Sequence, residues 1–115
     1  YGRLWRAHVD TVMDAALADV SRLMCGPTYV ETNGDKGYLG RELRRKGFAV
    51  RMYQEHQNKY LKISTFLRKW GGNVVFLAGT DPEYIAQIMD YTEEAEHDDA
   101  PDSAACVCRI LDRRD

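Results

Sequence analysis

Between Val9 and Met24 the apolar residues fall at Val9, Val12, Met13, Ala16, Leu17, Val20, Leu23 and Met24. Steps of three and four put them on one stripe, so the spacing predicts an amphipathic helix. Gly26-Pro27 then ends it. Thr28-Tyr29-Val30-Glu31-Thr32 is short and rich in β-branched residues, which predicts a strand, and Asn33-Gly34-Asp35 predicts a turn. Residues 36–46 read as a helix, with Gly47 as its left-handed C-terminal cap. Phe48 to Met52 reads as a second strand and Gln54 to Asn58 as a polar loop. Lys59 to Trp70 reads as a helix, with Tyr60, Ile63, Phe66, Leu67 and Trp70 to one side. Gly71-Gly72 closes that helix, and Asn73 to Leu77 predicts a third strand. Thr80-Asp81-Pro82-Glu83 has the order of a helix start: cap, proline just inside, acid in the first turn. After an acidic loop over 92–100, Pro101 opens a final, mostly apolar helix.

The predicted order is α-β-α-β-α-β-α-α. Strands alternating with helices imply an α/β fold with a mostly parallel sheet joined by right-handed crossovers. The chain has 115 residues, the size of a single domain with one real core. No apolar run approaches the ~20 residues of a membrane-spanning helix, and the first residues lack a signal-peptide core. The three cysteines, Cys25, Cys106 and Cys108, lack zinc-knuckle spacing and read as reduced thiols of a cytoplasmic protein. The absence of an initiator Met leads us to expect a piece of a longer chain.

Net charge is −2, which excludes nothing, but its distribution matters. Residues 36–69 hold ten Lys/Arg against two acids, whereas residues 92–102 hold six acids and no base. A basic middle beside an acidic cluster fits a phosphate-binding surface next to a metal site. It equally fits two solvated faces of opposite sign. Ligands of open parallel sheets gather at the carboxyl ends of the strands, and Glu31 ends the first. An acid there needs a partner such as a divalent cation or Arg41, or it points to water. Asp98, Asp99 and Asp102 crowd the start of the last helix. Asp98 or Asp99 can cap it; a hard cation, Mg²⁺ or Mn²⁺, would relieve the mutual repulsion of the three acids. His97 is a candidate base, ligand or plain surface residue. Acids from a strand end and a distant helix start are the set needed by two-metal phosphodiester hydrolysis.

These residues carry a resemblance. Tyr29-Val30-Glu31-Thr32-Asn33-Gly34, followed by a Gly- and Arg-rich helix, looks like the segment of the large terminase subunit of tailed phages that bears the nuclease's second metal-binding acid. Asn58-Lys59-Tyr60-Leu61-Lys62-Ile63 resembles the family's Lys-containing helix start. Gln87-Ile88-Met89-Asp90-Tyr91 and His97-Asp98-Asp99-Ala100-Pro101-Asp102-Ser103-Ala104 are similar to its closing motif. The resemblance spans residues 7–112 and implies a three-layer, RNase H-like fold truncated at its N-terminus. It implies an endonuclease that cuts concatemeric double-stranded viral DNA with two Mg²⁺ or Mn²⁺ ions. Glu31, Asp98 and Asp99 would be the catalytic metal ligands, and His97, Asp102 and Lys59 accessory residues. Arg41, Arg44, Arg45 and Lys62 would contact DNA. The small terminase subunit and the portal or procapsid would be partners of the parent protein in the host cytoplasm. The sequence departs from the family in lacking the first catalytic Asp, since Asp10 sits on the polar side of a helix, and in lacking a phosphate loop for ATP. The expectation is therefore an incomplete site with weak metal binding and little cleavage. A resolvase, transposase or integrase of the same fold, a non-catalytic module docking DNA or protein, and a small-molecule enzyme are the competing readings.

Overall fold

The apolar stripes read from the sequence close into two separate cores. The computed structural model describes residues 1–32 and 37–113. Contacts divide the chain into two units, Trp5–His56 and Tyr1–Leu4 with Gln57–Asp115. Among the described residues there are five α-helices and a two-stranded parallel sheet, so the α/β expectation holds at that level. No described helix is long and apolar enough to cross a membrane.

The first unit contains α1 (Val9–Arg22), β1 (Thr28–Glu31), α2 (Tyr38–Arg45) and β2 (Val50–Tyr53). β1 pairs with β2 in parallel, from Thr28 opposite Val50 to Glu31 opposite Tyr53. Parallel neighbours need a crossover, and α2 lies between them in sequence to supply it. The core is Met13, Val30, Leu43, Phe48 and Val50, with Val9, Ala16, Leu17, Val20 and Leu39 packed against it. The α1 stripe buries through Met13, with Val9, Ala16, Leu17 and Val20 packed beside it, whereas Met24, beyond the helix, is 89% exposed. The chain leaves α1 at Arg22, before Gly26-Pro27, through Met24 in the left-handed region at φ 52°. Gly47 takes φ 107° just past α2, where a side chain would be strained. The Asn33-Gly34-Asp35 turn and the expected helix start at Lys36 lie outside the described residues.

The second unit is helical: α3 (Lys59–Trp70), a 3₁₀ turn (Gly71–Asn73), α4 (Pro82–Met89) and α5 (Asp99–Asp112). Ile63, Phe66 and Ala105 form its core, joined by Leu67, Trp70, Val74, Tyr91, Ala104 and Cys108. Asn58 caps α3 by accepting from the Leu61 amide at 3.1 Å. Asp81 caps α4 by accepting from the Glu83 amide at 2.9 Å, and Pro82 follows it as expected. The same Asp81 ties down the first residues: its amide donates to the Gly2 carbonyl and its carboxylate accepts from the Leu4 amide.

Two expectations fail here. The third strand, Asn73 to Leu77, is absent: a 3₁₀ turn ends at Asn73, and no strand follows it among the described residues. A strand exists by pairing its backbone, and this β-branched stretch instead lays Val74 against the α3–α5 core. The last helix begins at Asp99, two residues before Pro101. Proline is tolerated in a first turn because the amides there have no intrahelical acceptor.

Candidate functional site

Glu31 is the last residue of β1 and is exposed. It stands at the carboxyl end of a parallel strand, where the sequence argument put it. On α2, Leu39, Gly40 and Leu43 turn inward while Arg41, Arg44 and Arg45 are exposed. Arg44 donates to the Val50 carbonyl at 3.3 Å, and Arg45 pairs with Glu42 at 3.2 Å. Both contacts leave donors for other acceptors, because a guanidinium carries five N–H groups.

The remaining predicted residues lie in the helical unit, around the start of α5. Asp98 is the N-cap residue by position, yet its side chain makes no capping hydrogen bond. Its carboxylate instead meets the Lys59 ammonium at 3.4 Å. Gln87 takes over part of the capping, accepting from the Ala100 amide at 2.9 Å. Asp99 and His97 are exposed. Asp102, in the first turn, lies 3.8 Å from Lys59 and 2.5 Å from the Lys62 ammonium.

Lys62, expected among the DNA contacts, is buried and ion-paired. It is 4% exposed, its ammonium held between the Asp102 carboxylate and the Cys106 sulfur, the latter at 3.2 Å. A buried ammonium cannot reach a DNA phosphate without first breaking that ion pair. Burial alone would lower its pKa, but the hydrogen bonds to Asp102 and Cys106 outweigh it and hold the group above the usual lysine range. Lys59 behaves likewise at the rim: burial lowers it, and the nearby Asp102 and Asp98 charges more than compensate. Burial, then the Asp98 charge, raises the Tyr91 phenol above its ordinary value.

Carboxylate oxygens at Glu31, Asp98 and Asp99 suit Mg²⁺ or Mn²⁺ by donor chemistry. Among the described residues, however, no group of three or more His, Cys, Asp or Glu side chains is arranged to hold an ion. What the structure does assemble is Lys59, Lys62, Asp98, Asp102 and Cys106. Sequence reading missed Cys106 as a partner of Lys62. The signal was there: Lys62 is four residues before the buried Phe66, and Asp102 and Cys106 share one helix face at i, i+4.

In comparisons with protein-family models, with curated proteins and with solved structures, no match to the chain is found.

Proposed function

We propose that the chain belongs to a metal-dependent endonuclease of the terminase kind, with an RNase H-like fold, acting on double-stranded DNA. The observation that carries this reading is Glu31, an exposed acid ending a parallel strand that an Arg-bearing helix follows. Ligands of open α/β sheets sit at such strand ends. Glu31, Asp98 and Asp99 would hold Mg²⁺ or Mn²⁺, which when bound supplies Lewis-acid activation of water and the phosphodiester. Arg41, Arg44 and Arg45 would bind backbone phosphates and set the register of the duplex without reading its sequence. Asp102 is left out of the ligand set because Lys62 already neutralises it. Lys59, half exposed beside Asp98, is a cation that a metal would have to displace or share space with. The reading supplies no candidate for the family's first acid, so cleavage by this chain is expected to be weak. Its packaging partners would be the small terminase subunit and the portal or procapsid.

A second reading is favoured by one observation. Lys59 and Lys62 satisfy Asp98 and Asp102 without any metal. That arrangement suits a non-catalytic α/β module that docks DNA or a packaging protein through α2.

Titrating Mn²⁺ into isotope-labelled protein separates the two. Paramagnetic broadening of the Glu31 amide together with those of Asp98 and Asp99 supports one shared metal site. Broadening confined to residues 93–102 removes Glu31 from the site and leaves the docking module.

A further inference from the structure

The buried contact between Lys62 and Cys106 is used by neither reading. Lys62 projects from α3 and Cys106 from α5, and their side-chain ends touch at 3.2 Å. Both are buried, at 4% and 5% exposure. Asp102, one turn before Cys106 on α5, contacts the same ammonium. A nitrogen and a sulfur in contact, beside a carboxylate base and shielded from water, form a preassembled oxidation site. We propose that dioxygen joins Lys62 and Cys106 through a covalent nitrogen–oxygen–sulfur bridge between α3 and α5.

The step balances. The lysine ammonium, the cysteine thiol and one dioxygen give the bridged pair, one water and one proton. Sulfur and nitrogen each give up two electrons, and dioxygen accepts all four. One of its oxygens becomes the bridge and the other leaves as water. Two of the four hydrogens on the ammonium and thiol go into that water, one stays on nitrogen, and one is released to the Asp102 carboxylate. Dioxygen is small and apolar, so burial admits it while excluding the soluble thiols that would reverse the reaction. The neighbouring Cys108 cannot substitute, since residues two apart on a helix do not face the same way. The bridge would staple two helices and discharge Lys62. Asp102 would then face an uncharged nitrogen in the same turn that carries Asp99.

The test uses the full chain purified under reducing conditions and then held in air-saturated buffer without reductant. Intact mass should rise by one oxygen less two hydrogens. Proteolysis should yield the Lys62 and Cys106 peptides joined, and dithiothreitol should separate them. Cys106→Ser and Lys62→Arg should each abolish the gain. A Cys25→Ser, Cys108→Ser variant, which leaves the buried pair untouched, should retain it. Wild-type protein kept unfolded in denaturant should not form the bridge, which ties it to the folded geometry without relying on any variant's stability. Recovery of Cys106 as a free thiol after exposure that oxidises Cys25 overturns the proposal. So does its recovery as a sulfinic or sulfonic acid with Lys62 unmodified.

Discussion

Replacing Asp102 by Asn keeps the side chain's shape and removes the charge that faces Lys62. The Lys62 side chain is 3% exposed and that of Asp102 16%, so the ammonium stays buried without this counter-ion while water reaches only the Asp102 end. Breaking a buried ion pair from one side costs about 3–5 kcal/mol, and the partial opening at Asp102 places this case near the lower figure. A ceiling follows from chemistry. Lys62 can instead shed its proton, and at neutral pH doing so from an ordinary pKa of 10.5 costs about 5 kcal/mol. Urea unfolding followed by Trp70 fluorescence reads this unit, because Trp70 packs on the Ile63–Phe66–Ala105 core; a Trp5→Phe background removes the other indole. Asp102→Asn should lower stability by about 3 kcal/mol, and Asp102→Asn with Lys62→Met should recover much of it, since the pair then leaves no buried charge. The pH dependence has a definite sign. The folded-state pKa of Lys62 is raised, so the pair's contribution is fully present below 10.5 and is lost only as pH climbs through the higher folded value. The stability gap between wild type and Lys62→Met should therefore stay level from neutral pH to about 10 and narrow above it. A decrease under about 1 kcal/mol for Asp102→Asn is the value of a solvent-exposed pair, and would refute the claim that this pair is buried and coupled.

Three further outcomes are expected. Asn58→Ala removes the cap on the Leu61 amide and should destabilise the helical unit by about 1 kcal/mol, measured in the same unfolding assay. Gly2→Val drives a side chain into the Tyr84 ring; the Leu4 amide, now bonded to Asp81, should exchange its hydrogen faster while the Ile63 amide stays protected. If α2 binds phosphates, Arg41→Ala with Arg45→Ala should weaken binding to all duplex sequences alike and reduce the salt slope of log K by about one unit for each phosphate no longer neutralised; unchanged binding would make α2 a solvated face.

Much of the local structure was legible in the sequence because it is dictated locally. Three-and-four spacing fixed α1 and α3, and the side chains of Asn58 and Asp81 marked the starts of α3 and α4. Gly47 marked the end of α2, and a β-branched run with a following helix marked β1 and its parallel partner. Composition around Asn73–Leu77 also said strand, and there it misled. A strand requires a neighbouring backbone, and whether one is present is a property of the assembled unit. The roles of the charged residues were decided in the same way. In sequence, Lys59 and Lys62 are two cations of one basic run, and Asp98, Asp99 and Asp102 are acids of one cluster. Only the packing of α3 against α5 sinks Lys62 beneath the surface and gives it Asp102 and Cys106. Periodicity tells which residues share a helix face; it does not tell what that face will meet, and a charge buried against a partner does different chemistry from the same charge in water.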